Sequence, residues 1–201
     1  MKLSHFAVIA GMLLLVSCSS EAPKKKEAKK AGDPVAARYA FHQTLLTART
    51  WAQDLQVLRV RSVPVEIVKA DPGKAAIWEV TFVSAAKSKA RRYTYSVVET
   101  PSIHEGVYGG LDEDWSGRDG QATGFLPAAF RIDSTEAWEK AAAQSKDYMA
   151  KNPDMPVTFL LEKTPRHPDP TWRVIWGTSV STSGYSIFVD ASTGEFVEKA
   201  R

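Results

Sequence analysis

Thr171-Trp172-Arg173-Val174-Ile175-Trp176, broken by Gly177 and a Ser/Thr run, is followed by Tyr185-Ser186-Ile187-Phe188-Val189-Asp190 and closed by Ala191-Ser192-Thr193-Gly194-Glu195. Bulky apolar and polar side chains alternate through both segments, and they are rich in aromatic and β-branched residues. That period of two predicts a pair of half-buried strands, with Gly184 and Gly194 in turns. Asp190 is placed to accept hydrogen bonds from amides two or three residues ahead, and Gly194 can take a positive φ. These are structural roles and need no ligand.

Outward from this pair, the same pattern occurs earlier. Ile77-Trp78-Glu79-Val80-Thr81-Phe82 parallels Thr171 to Trp176, and Tyr93-Thr94-Tyr95-Ser96-Val97 parallels Tyr185 to Val189. Each strand pair is preceded by one more strand, Leu55 to Arg61 in the first case and Val157 to Glu162 in the second. Each set is also preceded by a helix. Asp33-Pro34 starts the first, whose stripe is Ala37, Ala40, Phe41, Thr44, Ala48, Trp51, Ala52 and Leu55. Asp133 opens the second, with Glu136 completing a capping box and Trp138, Ala141, Ala142, Ser145, Tyr148 and Met149 facing inward. Asn152-Pro153 stops it. The expected fold is therefore α+β: two tandem units, each one helix packed on a three-stranded antiparallel sheet. Residues 34–103 form the first unit, 104–132 an inter-repeat loop and 133–201 the second unit.

The closing segment resembles the end of a PepSY domain, with its Trp-x-Val strand at Trp172-Arg173-Val174, its Tyr-containing strand from Tyr185, and its Asp-Ala-x-Thr-Gly-Glu turn at Asp190 to Glu195. The first unit carries Glu99-Thr100-Pro101 where that turn would fall. The resemblance implies a PepSY- or cystatin-like unit, and a non-catalytic module that binds or restrains another exported protein.

The N-terminus has the layout of an export signal, with Lys2 ahead of an apolar run from Phe6 to Val16. That run is shorter than the roughly 20 residues a spanning helix needs. Leu15-Val16-Ser17-Cys18 resembles the bacterial lipobox. The resemblance implies cleavage after residue 17, diacylglycerol and palmitate-type acylation at Cys18, and anchoring in the cell envelope with the chain facing the periplasm. Cys18 is the single cysteine, so no intramolecular disulfide can form. Ser19 follows it where an inner-membrane retention signal has Asp, which favours the outer membrane. Residues 18–33 are a lipidated, Lys-rich tether. From Pro34 onward Lys/Arg and Asp/Glu are twenty each, so the basic excess lies in the leader and tether, and a nucleic-acid-binding patch is not indicated.

No catalytic constellation stands out. His42, His104 and His167 lack metal-ligand spacing, and Gly177-Thr178-Ser179-Val180-Ser181 lacks the second glycine of a nucleophile elbow. Asp112, Asp114, Ser116 and Gly117 match the first, third, fifth and sixth positions of an EF-hand loop, but Thr123 stands where the bidentate Glu belongs. Calcium is thus the one cofactor suggested. Trp115 sits in that acidic loop without apolar neighbours, either as an anchor for a partner or as a plug between repeats. The sequence reads as a non-enzymatic lipoprotein, bound to the bilayer through Cys18 and to an unidentified envelope or secreted protein. The alternative is a small-ligand- or calcium-binding lipoprotein using a cleft between the repeats.

Overall fold

In chain order, β1 (Val35–Ala36) leads into α1 (Ala37–Ala48), followed by β2 (Leu55–Val63), β3 (Lys74–Ala75), β4 (Ile77–Ser84), β5 (Lys89–Ser96) and β6 (Gly106–Asp114). A small hairpin of β7 (Arg118–Asp119) and β8 (Ala122–Thr123) and a 3-10 turn at Pro127–Ala129 precede α2 (Ser134–Ala143) and α3 (Lys146–Lys151). Strands β9 (Val157–Glu162), β10 (Thr171–Trp176), β11 (Tyr185–Asp190) and β12 (Phe196–Ala200) complete the chain. This computed structural model describes residues 32–68 and 71–200. The signal segment, Cys18 and the tether as far as residue 31 lie outside the described residues.

Eight of the strands form one antiparallel sheet in the order β12-β11-β10-β9-β2-β4-β5-β6. This overturns the expectation of two helix-on-three-strand units: the molecule is mostly β, built on one wide sheet with few helices. Two physical causes account for the difference. Each half has a fourth strand, β6 or β12, that the sequence pattern did not reveal. The first strands of the halves also pair with one another, Arg59 opposite Glu162, Val60 opposite Leu161 and Arg61 opposite Leu160. Each of these strands had one edge left unpaired within its own half, and unpaired edges are satisfied by joining.

The strand order reads the same outward from this seam in both directions, so the halves repeat one plan. Trp78 pairs with Tyr95 and Trp172 with Val189. Tyr93 therefore corresponds to Ile187, two residues away from the side-chain parallel drawn above. A shift of two leaves every side chain on the same face, which is why the pattern concealed it. Both indoles do the same job. Trp78 Nε1 donates to the Val35 carbonyl and Trp172 Nε1 to the Ile132 carbonyl, each at 2.9 Å and each two residues before its helix. The two rings meet edge to face, 6.4 Å between centroids, at the centre of the core.

Helices α1 and α2 cover one face of the sheet. Phe41, Phe82, Phe130 and Phe159 fill the space beneath them with the two tryptophans. The helix N-termini are joined. Ser134 Oγ accepts from the Ala37 amide at 2.9 Å and donates to the Gly73 carbonyl at 2.6 Å. Asp133 Oδ1 accepts from the amides of Ser134 (2.7 Å) and Arg38 (3.0 Å), so one carboxylate caps both helices. Gly73, at φ 72°, lies so close to the Thr135 backbone that a Cβ would collide with it.

Ser134 is fully buried, so Ser134→Ala leaves the Ala37 amide and the Gly73 carbonyl without partners. Urea unfolding of this variant is expected to show a loss of about 2–4 kcal/mol. A change below about 0.5 kcal/mol would mean that the joint contributes nothing.

Candidate functional site: the open face of the sheet

The face of the sheet away from the helices carries the concave features of the molecule that lie at the seam. On β2, Val57 and Val60 point into the core, and a bulge between Val57 and Arg59 turns both Leu58 and Arg59 to the open side. Arg61 follows on that same side. Arg59 bridges the seam, its Nε 3.2 Å from Glu162 Oε2, and its other arm lies 3.1 Å from Asp119. Arg61 forms a two-pronged ion pair with Glu79 across β2 and β4. Arg92 on β5 is only loosely paired, 3.8 Å from Glu113.

Two hollows flank this pair of arginines. The seam cleft, ≈ 500 Å³, has an apolar floor that includes Leu160 and Ile175, and the Ser/Thr segment at Thr178 to Ser181 forms one wall. Thr158 Oγ1 donates to the Gly177 carbonyl at 2.9 Å, pinning the start of that segment. The second hollow is smaller, ≈ 220 Å³, more enclosed and more polar. It lies against Trp115 and the β7–β8 residues Arg118 and Asp119. An apolar floor with charged groups at one end is the composition of a binding cleft.

The acidic stretch expected to be a loop is largely strand. Asp112 and Asp114 lie on β6 opposite Arg91 and Lys89, and each pairs with its cross-strand cation, at 2.6 Å and 2.5 Å. Asp112 also lies 3.4 Å from Trp51 Nε1. The Arg91 and Lys89 hydrogen bonds hold the carboxyls of Asp112 and Asp114 below the usual carboxylate range. Ser116 follows the strand and is exposed. Among the described residues no three His, Cys, Asp or Glu side chains converge as a metal-binding group.

Trp115 is half-buried against a small cluster of Leu58, Val83, Ala90 and Ala122, and its indole N–H is shielded without an acceptor. Asp190 Oδ1 accepts from the amides of Ser192 (2.7 Å) and Thr193 (2.8 Å), while Gly194 has φ 78°. These two residues sit in the β11–β12 turn, away from both hollows. His104 Nδ1 lies 2.9 Å from Glu99, and His167 Nε2 lies 2.9 Å from Glu198. Among the described residues no serine hydroxyl is hydrogen-bonded to either ring. The residues that sequence reasoning passed over are Arg59, Arg61, Glu79 and Glu162. Their signal was present: opposite charges at alternating positions of otherwise apolar strands mark a face that is neither core nor free surface.

No family model matches the chain, and no curated protein matches it. The PepSY-like and lipobox resemblances therefore rest on their own residues. A solved structure of a candidate lipoprotein from Clostridium difficile is similar at a TM-score of 0.44 and 10% identity, over 86% of this chain and 97% of that one. A likeness that shallow carries no argument about this chain.

A depressed carboxylate contributes stability above the ordinary carboxylate range, and loses it as pH falls through the lowered value. In an NMR titration Asp114 is expected to titrate below the ordinary aspartate value of about 3.9. Lys89→Met should move its midpoint up to that range and leave Asp112 near its original position. An unmoved Asp114 midpoint would show that the ion pair is not what holds it down.

Proposed function

We propose that the chain is an exported, lipid-anchored, non-catalytic binding protein of the bacterial cell envelope, and that its ligand occupies the open face of the sheet at the seam. The observation that carries this reading is the seam cleft itself. Leu160 and Ile175 supply an apolar floor, and Arg59, Arg61 and Glu162 converge at one end. That is the arrangement that separates a small-ligand protein from a pure docking scaffold. Binding rather than proton transfer is supported by the charge pairing. Glu79, Asp114, Asp119 and Glu162 are each held by a cation, so none is poised as a general acid.

Anchoring at Cys18 is supported by the position of the only cysteine, one residue beyond an apolar run of signal-peptide length. Two or three acyl chains, at about 0.8 kcal/mol per buried methylene, hold a protein stably in a bilayer. Ser19 favours the outer membrane.

A protein partner is the second reading, and a different observation favours it. Strand β6 is an open edge of nine residues, with Leu111 88% and Tyr108 55% exposed. Its half from Gly106 to Leu111 has no charged side chain to discourage strand addition. Trp115 is less suited to that role than the sequence suggested, because it is packed into the Leu58 cluster.

Two experiments test the proposal. In cells fed a palmitate analogue, the native chain should be labelled and fractionate with membranes, and Cys18→Ser should be unlabelled and soluble. Labelling that survives Cys18→Ser would remove the anchor. Photo-crosslinking residues placed in turn at Ser181, Leu111 and Leu46 then separate the surfaces. Small-molecule adducts from Ser181, at the cleft, support the first reading, and protein adducts from Leu111 support the second. Adducts from Leu46 alone, on the outer side of α1, would contradict both.

A further inference from the structure

The two ends of the sheet differ in what their links expose. The register puts Val63 beside Ile77, Ile77 beside Ser96, Val157 beside Trp176 and Trp176 beside Tyr185, and the seam pairing aligns β2 with β9, so these residues share one end. The N-terminal segment enters the described fold at that same end. The Gly32 amide donates to the Val97 carbonyl at 3.0 Å, one residue beyond β5. Pro34 lines a small hollow of ≈ 130 Å³ together with Val65, Val68, Pro156 and Val157.

Three exposed apolar side chains surround this entry. Ile67, 63% exposed, is on the link after β2, Met155, 38%, on the link before β9, and Val180, 42%, on the link after β10. Strands β2, β9 and β10 are neighbours in the sheet, so the three tips stand side by side at one end. At the other end the links 85–88, 163–170 and 191–195 expose no large hydrophobic side chain. A hydrophobic residue exposed singly is normal. Three on adjacent links make a patch, and such patches mark contact surfaces.

The anchor decides what meets this patch. Thirteen residues separate Cys18 from Gly32. At no more than about 3.6 Å per residue, they keep Gly32 within roughly 50 Å of an acylated Cys18. A contact made at the tethered end is intramolecular, with an effective concentration on the order of millimolar, so a surface too weak to hold lipid alone suffices there. A diffusing partner protein has no such advantage. The exposed charges at this end are mixed, Lys146 and Lys151 against Glu66, Asp147 and Asp154, so the attraction comes from apolar insertion and not from anionic headgroups.

We infer that the end of the sheet carrying Ile67, Met155 and Val180 rests on the bilayer, with these three side chains entering the headgroup boundary. This placement rests on the anchoring reading above and is independent of the ligand reading. Val63, Pro64 and Val180 also line the seam cleft, which therefore opens beside the membrane.

The test introduces a benzophenone side chain in turn at Ile67, Met155 and Leu126 of the full chain, expressed in cells and irradiated in isolated membranes. Leu126 is the control: it is 65% exposed and adjoins Phe125, which pairs with Val57 toward the opposite end. The expected result is phospholipid adducts from Ile67 and Met155 at least about tenfold above those from Leu126, as when apolar area is buried at one end only. Capture should persist in about 1 M salt, where charge attraction is screened beyond about 3 Å.

Equal lipid capture at all three positions would overturn the inference, and so would capture lost at high salt. Adducts from Ile67 and Met155 to a second copy or to another protein, in place of lipid, would assign the patch to that partner and overturn it too. A chain labelled by the palmitate analogue at Cys18 but without lipid adducts at Ile67 and Met155 would discard the docking surface and keep the anchor. An unlabelled chain whose Ile67 and Met155 probes still capture lipid would discard the anchor and keep the surface.

Discussion

Across the seam, Arg59, Val60 and Arg61 of β2 lie opposite Glu162, Leu161 and Leu160 of β9, and this short antiparallel contact turns two four-stranded halves into a single sheet. Without it, each half would expose the edge of its own first strand, the feature that natural sheets take most care to cover. With it, only β6 and β12 remain as outer edges. The Arg59–Glu162 pair marks the seam on the open face, and the buried Val60–Leu161 pair marks it in the core. On the helix side the same line is closed by Asp133 and Ser134, which supply acceptors to the first turn of the opposite helix.

The candidate site follows from that join. Helices occupy one face, so whatever is concave at the seam must be on the other. There the bulge at Leu58 places Arg59 and Arg61 on the open side, and they divide the surface into an apolar cleft and a polar hollow. The charges on this face are largely neutralised within the chain. Among the described residues one buried side-chain donor, the Trp115 indole N–H, has no acceptor. The apolar cleft draws its lining from both halves and so depends on the seam, whereas the polar hollow is lined by residues between Leu58 and Asp119, all on one side of it.

Much of the local structure was legible in the sequence. The alternation at Trp78 to Phe82 and at Trp172 to Trp176 located the central strands, and the Asp133–Glu136 capping box forms as expected. Three things were not legible. Strand β6 reads as loop because of its glycines and acids, whose charges are cancelled only once β5 lies alongside with Lys89 and Arg91. The β2–β9 pairing joins residues about a hundred positions apart, and nothing in either strand alone specifies an edge partner. The register of the repeat was hidden because a slip of two residues preserves the face. Of the residues near the open face, Trp115 stood out in the sequence by its isolation and is packed into the Leu58 cluster, whereas Arg59, Arg61 and Glu162 were overlooked because charged residues on a strand look like ordinary solvent-facing positions.

The central claim is that the halves form one sheet that folds as a unit through the β2–β9 seam. Native-state hydrogen exchange tests it most directly, by comparing the amides of residues 59–61 and 160–162 with those of the inner strands β4 and β10. The account predicts that hydrogen-bonded seam amides are protected to the same extent as β4 and β10, and that all exchange through a single global opening. Seam amides that exchange freely, while β4 and β10 open with different free energies, would show two independent units and contradict it.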